Sequence, residues 1–298
     1  MANTKQIRSK IKSVKNLQKI IKALEVVSTI KLQKLKDKTN RFKAFVMDFL
    51  NILQSLKDKV NLFDFDKTSR DPNGKRLIIV ITSDKGLCGG INSKLLKHIS
   101  GKYRDRREKT DIIAIGKKGL EFFIRDKWNV VGSLHLKDDT DADDLRSIFT
   151  FVRKALVSKS YAKIKVYFNF FKNTVTQIPL RFKLYPLDEE SFEAFLRDLN
   201  IKLSSVHFKS PGDLVIEPNM EQFKQLLIQE LVEHIIYNAV INNKTGEHAA
   251  RMLAMKNAKD NCGNILGSLN LLYNKTRQGK ITQEISEIVS AKIAIEQN

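Results

Sequence analysis

The last quarter of the chain, residues 219–295, contains no proline and is predicted to form one long helix. Proline is tolerated in the first turn of a helix but not inside it, so Pro218 marks where this helix can begin. At 1.5 Å per residue an unbroken helix over this range would be roughly 110 Å long. Such a length exceeds the width of a small domain, so the helix needs a partner that buries its apolar residues.

Two sets of residues in this helix recur at alternating intervals of four and three, the spacing of a coiled-coil seam. The first set is Ala258, Cys262, Ile265, Leu269 and Leu272, and the second is Ile281, Ile285, Ile288, Lys292 and Ile295. The polar segment 274–280 separates them and shifts the second set by two positions. We expect this polar segment to face something outside the chain, with a solvated helix face as the alternative.

The first 60 or so residues predict a second long helix, because no glycine or proline interrupts them. Its apolar residues recur at helical spacing and are Ile7, Ile11, Val14, Leu17, Ile21 and Leu24, then Phe42, Phe45, Phe49, Ile52 and Leu56. Before Lys31 the helix carries seven basic residues and one acid, Glu25. A long isolated helix gains little stability from propensity alone. We therefore predict that it pairs with the C-terminal helix as an antiparallel coiled coil.

Between the two helices the hydrophobic period changes, and predicted strands alternate with predicted helices. The strands are 77–81, 111–115, one starting at 130, 163–170 and an antiparallel edge strand at 178–185; the helices are 91–107, 117–125 and 141–157. This alternation is typical of a parallel sheet with helices on both faces. The predicted fold class is α/β: a long antiparallel coiled coil of the N- and C-terminal helices plus a Rossmann-like parallel-sheet domain. Turn chemistry at 71–74 and a mixed segment at 198–217 give domains of 1–61, 75–205 and 217–298.

The composition restricts the class of partner. The net charge of +20 indicates acidic partners, whether nucleic acid, anionic lipid or acidic protein loops, although a genome rich in A and T would also enrich lysine. An apolar content of 42% excludes a disordered chain. Two cysteines, Cys88 and Cys262, form no disulfide framework, which fits a reducing compartment. We find no signal peptide and no apolar run of eighteen residues, so direct membrane insertion is not expected.

No stretch predicts catalysis, and we expect no cofactor and no metal. Residues 83–90 follow the first strand, where Rossmann-type folds hold a phosphate, but they match neither the dinucleotide nor the Walker pattern. Tight strand-to-helix packing alone would require these glycines. Cys88 has no histidine near it in sequence and is predicted to be a small buried residue. The aspartates of 138–144 lack the spacing of a calcium loop and predict a solvated acidic turn.

Two functions of another class stay open on these observations. The basic first helix would suit a nucleic-acid backbone, although its aromatic residues lie on the apolar seam rather than among the lysines. A basic coiled-coil nucleic-acid-binding protein is therefore one alternative. A dinucleotide-dependent enzyme built on the Rossmann-like domain is the other.

Four groups of motifs occur in a fixed order along the chain. They are Ile7-Arg8-Ser9-Lys10-Ile11 with Ser13-Val14 and Gln18-Lys19-Ile20; 83–90 with Asn92; Ile115-Gly116-Lys117-Lys118-Gly119 with Phe122-Phe123; and Ala250-Arg251-Met252, Ala254-Met255, 273–278 and Ile281-Thr282-Gln283-Glu284. Through these motifs the chain resembles the γ subunit of F-type ATP synthases, the central rotor shaft, over essentially its whole length.

The resemblance implies a function without chemistry of its own. In the family the coiled coil stands inside a ring of alternating α and β subunits, and the β subunits hold the nucleotide sites. The turning γ subunit forces those sites through different affinities, while its foot binds the ε subunit and the membrane ring of c subunits. The resemblance thus implies a peripheral subunit of a membrane-associated, hydrogen-ion-transporting complex on the cytoplasmic face of a bacterial membrane.

The resemblance also implies which residues contact partners. The implied contacts with β subunits are Arg8, Lys12, Lys19, Lys22, Arg251, Arg277, Gln278, Thr282 and Glu284. Glu217 is the implied foot contact with ε or the c ring. The segment 214–218 lacks the aromatic residues that many members carry there. The alternative within the class is therefore a γ-like shaft of a related F-type ATPase whose base is not a proton-translocating c ring.

Overall fold

The computed structural model describes residues 4–55, 74–186, 189–198 and 219–296. Contacts divide the chain into a first unit, Met1–Thr29 with Arg251–Asn298, and a second unit, Ile30–Ala250. Two long helices, α1 (Thr4–Ser55) and α6 (Met220–Glu296), contribute to both units. The domain boundaries predicted above follow secondary structure instead and remain predictions. Residues 71–73 of the predicted turn and the side chains of Phe42, Phe45, Phe49, Ile52 and Leu56 lie outside the described set.

The start of α6 agrees with the sequence, and Asn219 supplies the reason. Its side-chain oxygen accepts a hydrogen bond from the backbone N–H of Gln222 (2.9 Å), and its carbonyl accepts one from Phe223 (3.0 Å). An asparagine at this position satisfies a helical N–H group that has no partner within the helix. The helix then runs without a break to Glu296, as predicted.

The second unit is built on a five-stranded sheet in the order β3-β2-β1-β4-β5. Its strands are β1 (Arg76–Ile81), β2 (Thr110–Ile115), β3 (Asn129–Leu134), β4 (Lys163–Phe171) and β5 (Gln177–Tyr185). The first four are parallel and β5 is antiparallel to β4. This is the Rossmann-like sheet with an antiparallel edge that the sequence predicts.

Helices cover both faces of the sheet. They are α2 (Ile91–Tyr103), α3 (Lys117–Arg125), α4 (Arg146–Val157) and α5 (Glu189–Asp198). On one face α2 and α3 pack on side chains such as Ile78 and Ile112. On the other face α4 and the second-unit part of α6 pack on side chains such as Ile79 and Ile113. Two predicted helices are shorter than expected, because 3-10 turns, Arg104–Lys109 and Ala142–Leu145, replace their ends. The helix α5 was not predicted.

The corner between β2 and α3 requires glycine. Gly116 has φ of +103°, and a Cβ there would lie 2.2 Å from the carbonyl oxygen of Thr82. The hydroxyl of Thr82 also accepts the backbone N–H of Gly119 (2.8 Å). A side chain at position 116 would separate the ends of two neighbouring strands. The motif at 115–119 is thus explained by close backbone packing.

The acidic turn after β3 carries more ion pairs than a solvated turn would. Asp138 contacts Lys31 of α1 (2.6 Å) and Lys85 (3.2 Å), and Asp141 contacts Lys38 of α1 (3.0 Å). The ammonium of Lys244, only 4% exposed, bonds the carbonyls of residues 137 and 138 and the hydroxyl of Thr140. The aspartates at 138, 139, 141 and 143 are exposed, as a solvated turn requires, but lysines distant in sequence also pair with two of them, which the sequence did not predict.

Among the described residues, no helix combines the length and the apolar character that crossing a membrane requires.

Replacing Lys244 by methionine should destabilise the second unit. The substitution keeps much of the volume but leaves the oxygen acceptors of the acidic turn without their buried donor. We expect a loss of about 2–4 kcal/mol in the free energy of unfolding. Lys154→Met, which removes an exposed ammonium on α4, is the control and should change stability by less than about 0.5 kcal/mol. If Lys244→Met and Lys154→Met change the free energy of unfolding equally in urea denaturation, the role assigned to Lys244 is contradicted.

The ion pairs of Asp138 should make stability depend on pH in acid. The hydrogen bond from Lys31, and then Lys85, lowers the pKa of Asp138 to about 2. A lowered pKa in the folded state stabilises the protein above the unfolded pKa near 4, and that contribution is lost as the pH falls through about 2. The carboxylate is half exposed, so Asp138→Asn should cost only about 0.5–1 kcal/mol at pH 6. Unfolding measured from pH 6 to pH 2 should show the two proteins converging; a constant difference would refute the assignment.

Candidate functional site

The first unit is a pair of helices, and α1 packs one strict seam against α6. Its less exposed residues recur at intervals of three and four and are Thr4, Ile7, Ile11, Val14, Gln18, Ile21, Glu25 and Ser28, with Leu24 beside them. The predicted seam residue Leu17 is 50% exposed, so that prediction was wrong. Gln18 takes its place, because its side-chain amide reaches the carbonyl of Lys259 at 3.4 Å.

The facing seam of α6 agrees with the prediction up to Cys262. After Cys262 it lies on a different face of the helix from the predicted one. Its less exposed residues are Met255, Ala258, Cys262, Leu266, Leu269, Tyr273 and Thr276. Ile265 and Leu272, which were predicted to lie in the seam, are 49% and 46% exposed. The mean spacing from Ala258 onward is about 3.6, the repeat of a straight helix rather than of a supercoiled heptad.

An ion pair fixes how the two helices are aligned. Lys259 donates a hydrogen bond of 2.8 Å to Glu25, and Glu25 in turn raises the pKa of Lys259. The same stretch of α6 contacts Gln18 of α1. A core of Ile21, Met255 and Cys262 lies between these polar contacts. Farther along α1, the hydroxyls of Thr39 and Thr245 are 3.4 Å apart. Because the α6 partner falls from 259 to 245 as the α1 residue rises from 25 to 39, the alignment is antiparallel, as the sequence predicts.

A stripe of basic side chains follows the outer surface of α1, next to the seam. We call Arg8, Lys12, Lys15, Lys19 and Lys22 the basic stripe. All five are exposed, and no ion pair is recorded for them among the described residues. At 100° per residue they occupy an arc of about 80°. Four of the five are predicted contacts, and Lys15 lies among them on the same face, in a 4-3-4-3 spacing that is visible in the sequence.

The predicted contact residues near the end of α6 separate onto two faces. Arg277 and Glu284 are seven residues apart and share one face. Gln278 and Thr282 share another, roughly 120° away, where the Thr282 hydroxyl donates to the Gln278 carbonyl (3.0 Å). All four side chains are exposed. They can contact two neighbouring surfaces at once, but they do not form one cluster.

Beyond residue 277, every described side chain of α6 is exposed. The predicted seam of Ile281, Ile285, Ile288 and Ile295 is 42–77% exposed, and Lys292 is exposed too. This part of the coiled-coil prediction was wrong. The alignment through Lys259 already places the described start of α1 opposite residues near 275. The exposed isoleucines thus have no seam to enter among the described residues of the first unit.

Two predicted contact residues differ from the rest. Arg251 is 7% exposed, which favours a role within the chain over a contact with another subunit. Glu217 lies outside the described residues, as does the rest of the segment 214–218. The structure therefore describes eight exposed candidates of the ten. Their contacts with other subunits remain predictions.

The glycine-rich segment 83–90 is held together by its own side chains. Asn92 accepts the backbone N–H of Ser83 (3.1 Å) and donates to its hydroxyl (2.6 Å). Asp84 accepts the first backbone N–H of α3, from Lys117, at 2.9 Å. That helix end is consequently occupied by a carboxylate of the chain itself. Cys88 is buried, as predicted.

The described residues contain no group of three or more histidine, cysteine, aspartate or glutamate side chains that could hold a metal ion.

Comparisons with known proteins agree over the full length. The family profile described as ATP synthase matches residues 3–295. The ATP synthase gamma chain of Xanthomonas axonopodis pv. citri is 34% identical over 300 residues, covering 99% of this chain and 100% of the relative. That of Verminephrobacter eiseniae is 37% identical over 299 residues, covering 99% of each.

Solved structures show the same fold. A chain of the Euglena gracilis mitochondrial ATP synthase, in a structure of OSCP, F1 and c-ring, matches with a TM-score of 0.63 and 19% identity, covering 98% of this chain and 94% of that one. A chain of the Tetrahymena thermophila mitochondrial ATP synthase central stalk and c-ring matches at 0.58 and 22%, covering 80% and 99%. With a family profile over nearly every residue and full-length relatives above 30% identity, the chain belongs to the ATP synthase γ chain family.

Proposed function

We propose that this chain is the turning central shaft of an ATP synthase, on which the paired helices drive the catalytic β subunits. The single observation that carries the proposal is the first unit, a narrow helix pair with its own small core and an outer surface of exposed basic and apolar side chains. The chain performs no reaction itself. Nucleotide chemistry belongs to sites on the β subunits of the surrounding α and β ring.

The basic stripe is suited to contacts that form and break in every turn. Its charges are exposed, so pairing them with acidic loops of β subunits releases little water and stays sensitive to salt. Exposed ion pairs contribute about 0–1 kcal/mol each. Contacts this weak can break on one β subunit and form on the next without stopping the rotation of the shaft. Arg8, Lys12, Lys19 and Lys22, together with Lys15, form this surface in our proposal.

The end of α6 supplies the second contact. Its exposed isoleucines require an apolar lining, and the ring of α and β subunits provides one in this proposal. Arg277 and Glu284 on one face, and Gln278 and Thr282 on the other, then reach two different subunits of the ring. Such a two-sided contact distinguishes neighbouring β subunits, as an asymmetric shaft requires.

The second unit is the foot in this proposal. It binds the ε subunit and the c ring, with Glu217 as one contact. The Tetrahymena and Euglena structures described with their c-rings support a c ring over a different base. The subunit is peripheral to the membrane, on the cytoplasmic face of a bacterial cell.

Substituting Arg277 and Gln278 together by alanine tests the contact at the end of α6. Both side chains are exposed, so the fold and the melting temperature should not change. Coupled ATP turnover of the reconstituted α, β and γ assembly should fall about tenfold, the loss expected for two polar contacts. Lys256→Ala with Asn257→Ala, two exposed residues of the same helix, is the matched control. Undiminished turnover in the first variant would reject the assignment.

The basic stripe makes a prediction about assembly. Lys12→Gln should slow association of this chain with the α and β ring by about two- to fivefold at low salt, because a charge at the contact steers the encounter. The difference should shrink as salt is added. Lys10→Gln removes an exposed charge about 160° around α1 from Lys12 and should have a smaller effect. If both variants associate alike at every ionic strength, the stripe is not the contacting face.

A further inference from the structure

A cluster of basic side chains occupies one corner of the sheet in the second unit, on the face that α2 covers. Strand pairing sets it out: Arg76 of β1 lies beside Lys163 of β4, and Arg181 of β5 lies beside Tyr167 of β4. Lys165 lies between Lys163 and Tyr167 and points to the same face, because alternate residues of a strand share a face. Arg76 and Lys163 begin their strands, so the cluster lies at the amino ends, opposite the segment 83–90.

Two tyrosines form the floor of this cluster. The ammonium of Lys165 donates to the hydroxyl of Tyr103 at 3.1 Å and lies 5.5 Å from the centre of its ring. The hydroxyls of Tyr103 and Tyr167 are 2.8 Å apart, and both side chains are at least 95% buried. The contacts with Tyr103 thus fix the ammonium group of Lys165 in one position within the cluster.

The cluster concentrates positive charge without a described counter-charge. Burial, and then the charges of Arg181, Lys102, Lys163 and Arg76, lowers the pKa of Lys165 to about 8. Burial and Arg181 likewise lower the pKa of Lys102. No carboxylate among the described residues contributes to either shift. Lys165 therefore lies among four other cations, at a cost to the stability of the fold.

Arg76 gives a second and independent observation. Its side chain is 5% exposed, and its Nη1 has no hydrogen-bond partner among the described residues. A buried guanidinium nitrogen without an acceptor is unfavourable, and such groups call for an explanation. An anion in the cluster would supply both the missing acceptor and the missing negative charge.

We propose that Arg76, Lys102, Lys163, Lys165 and Arg181 form a binding site for a multivalent, phosphate-bearing anion. Lys102 and Arg181 are exposed and leave the site open to solvent, whereas Arg76 and the tyrosines close its inner side. More than one phosphate charge is needed to balance five cations, and guanidinium and ammonium groups bind phosphate oxygens through charge-assisted hydrogen bonds. A soluble polyphosphate and the headgroup of an anionic lipid share this chemistry.

The site is tested on the full chain with two probes. Inorganic pyrophosphate is titrated calorimetrically at low salt, and flotation with phosphatidylglycerol vesicles, against phosphatidylcholine vesicles, tests the lipid source. The site variant is Lys102→Gln with Arg181→Gln. The control variant is Lys154→Gln with Lys172→Gln, which removes the same two charges from exposed positions elsewhere. Removing mutually repelling cations should not unfold the chain; if the double variant unfolds, Lys102→Gln alone replaces it.

We expect the affinity of the site variant for the probe that binds to fall at least about tenfold. The control variant should bind that probe like the native chain. Bound pyrophosphate should also raise the pKa of Lys165, read by NMR of the ¹³C-methylated lysine. Selective loss with pyrophosphate alone supports a soluble anion, and selective loss with vesicles alone supports a lipid headgroup. Equal weakening in both variants, or no binding of either probe, overturns the proposal.

Discussion

A helix of 77 residues gains most of its stability from packing, and before its exposed end α6 packs in two ways. In the first unit it buries a narrow seam against α1. In the second unit it is buried almost all round between Leu231 and Ala249, which is unusual for a helix rich in polar residues. One of its buried asparagines fixes it to the sheet: the side-chain oxygen of Asn243 accepts the backbone and side-chain N–H groups of Asn169. Buried polar contacts thus orient the helix where apolar contacts alone would let it rotate.

Elements with a strong hydrophobic period were predictable from the sequence. The strands and the helix at 117–125 agree closely with the structure, because continuous apolar runs and glycine corners leave few alternatives. The seams were less predictable. Ile265 and Leu266 are both apolar, as are Leu272 and Tyr273, so spacing cannot decide which of two neighbours faces the partner. Gln18 was overlooked because a glutamine that bonds a facing carbonyl does not look like a seam residue.

Interactions between distant parts of the chain were beyond the sequence pattern. Asp138 and Lys244 are separated by more than a hundred residues, and nothing in either neighbourhood indicates the other. The candidate contact surface was partly predictable, since the basic residues of α1 are conspicuous. Which faces the contact candidates at the end of α6 occupy depends on how each helix is oriented about its own axis. The burial of Arg251 depends on the same orientation. That rotation is set by packing in the seam rather than by composition.

The bare isoleucines at the end of α6 have a consequence for the cell. A copy of this chain outside its complex exposes these apolar side chains, which favour association with other unassembled copies or with chaperones. In the proposed assembly the ring of α and β subunits buries these isoleucines. Supply of this subunit is therefore best matched to supply of its ring, and surplus copies are natural targets for proteolytic removal.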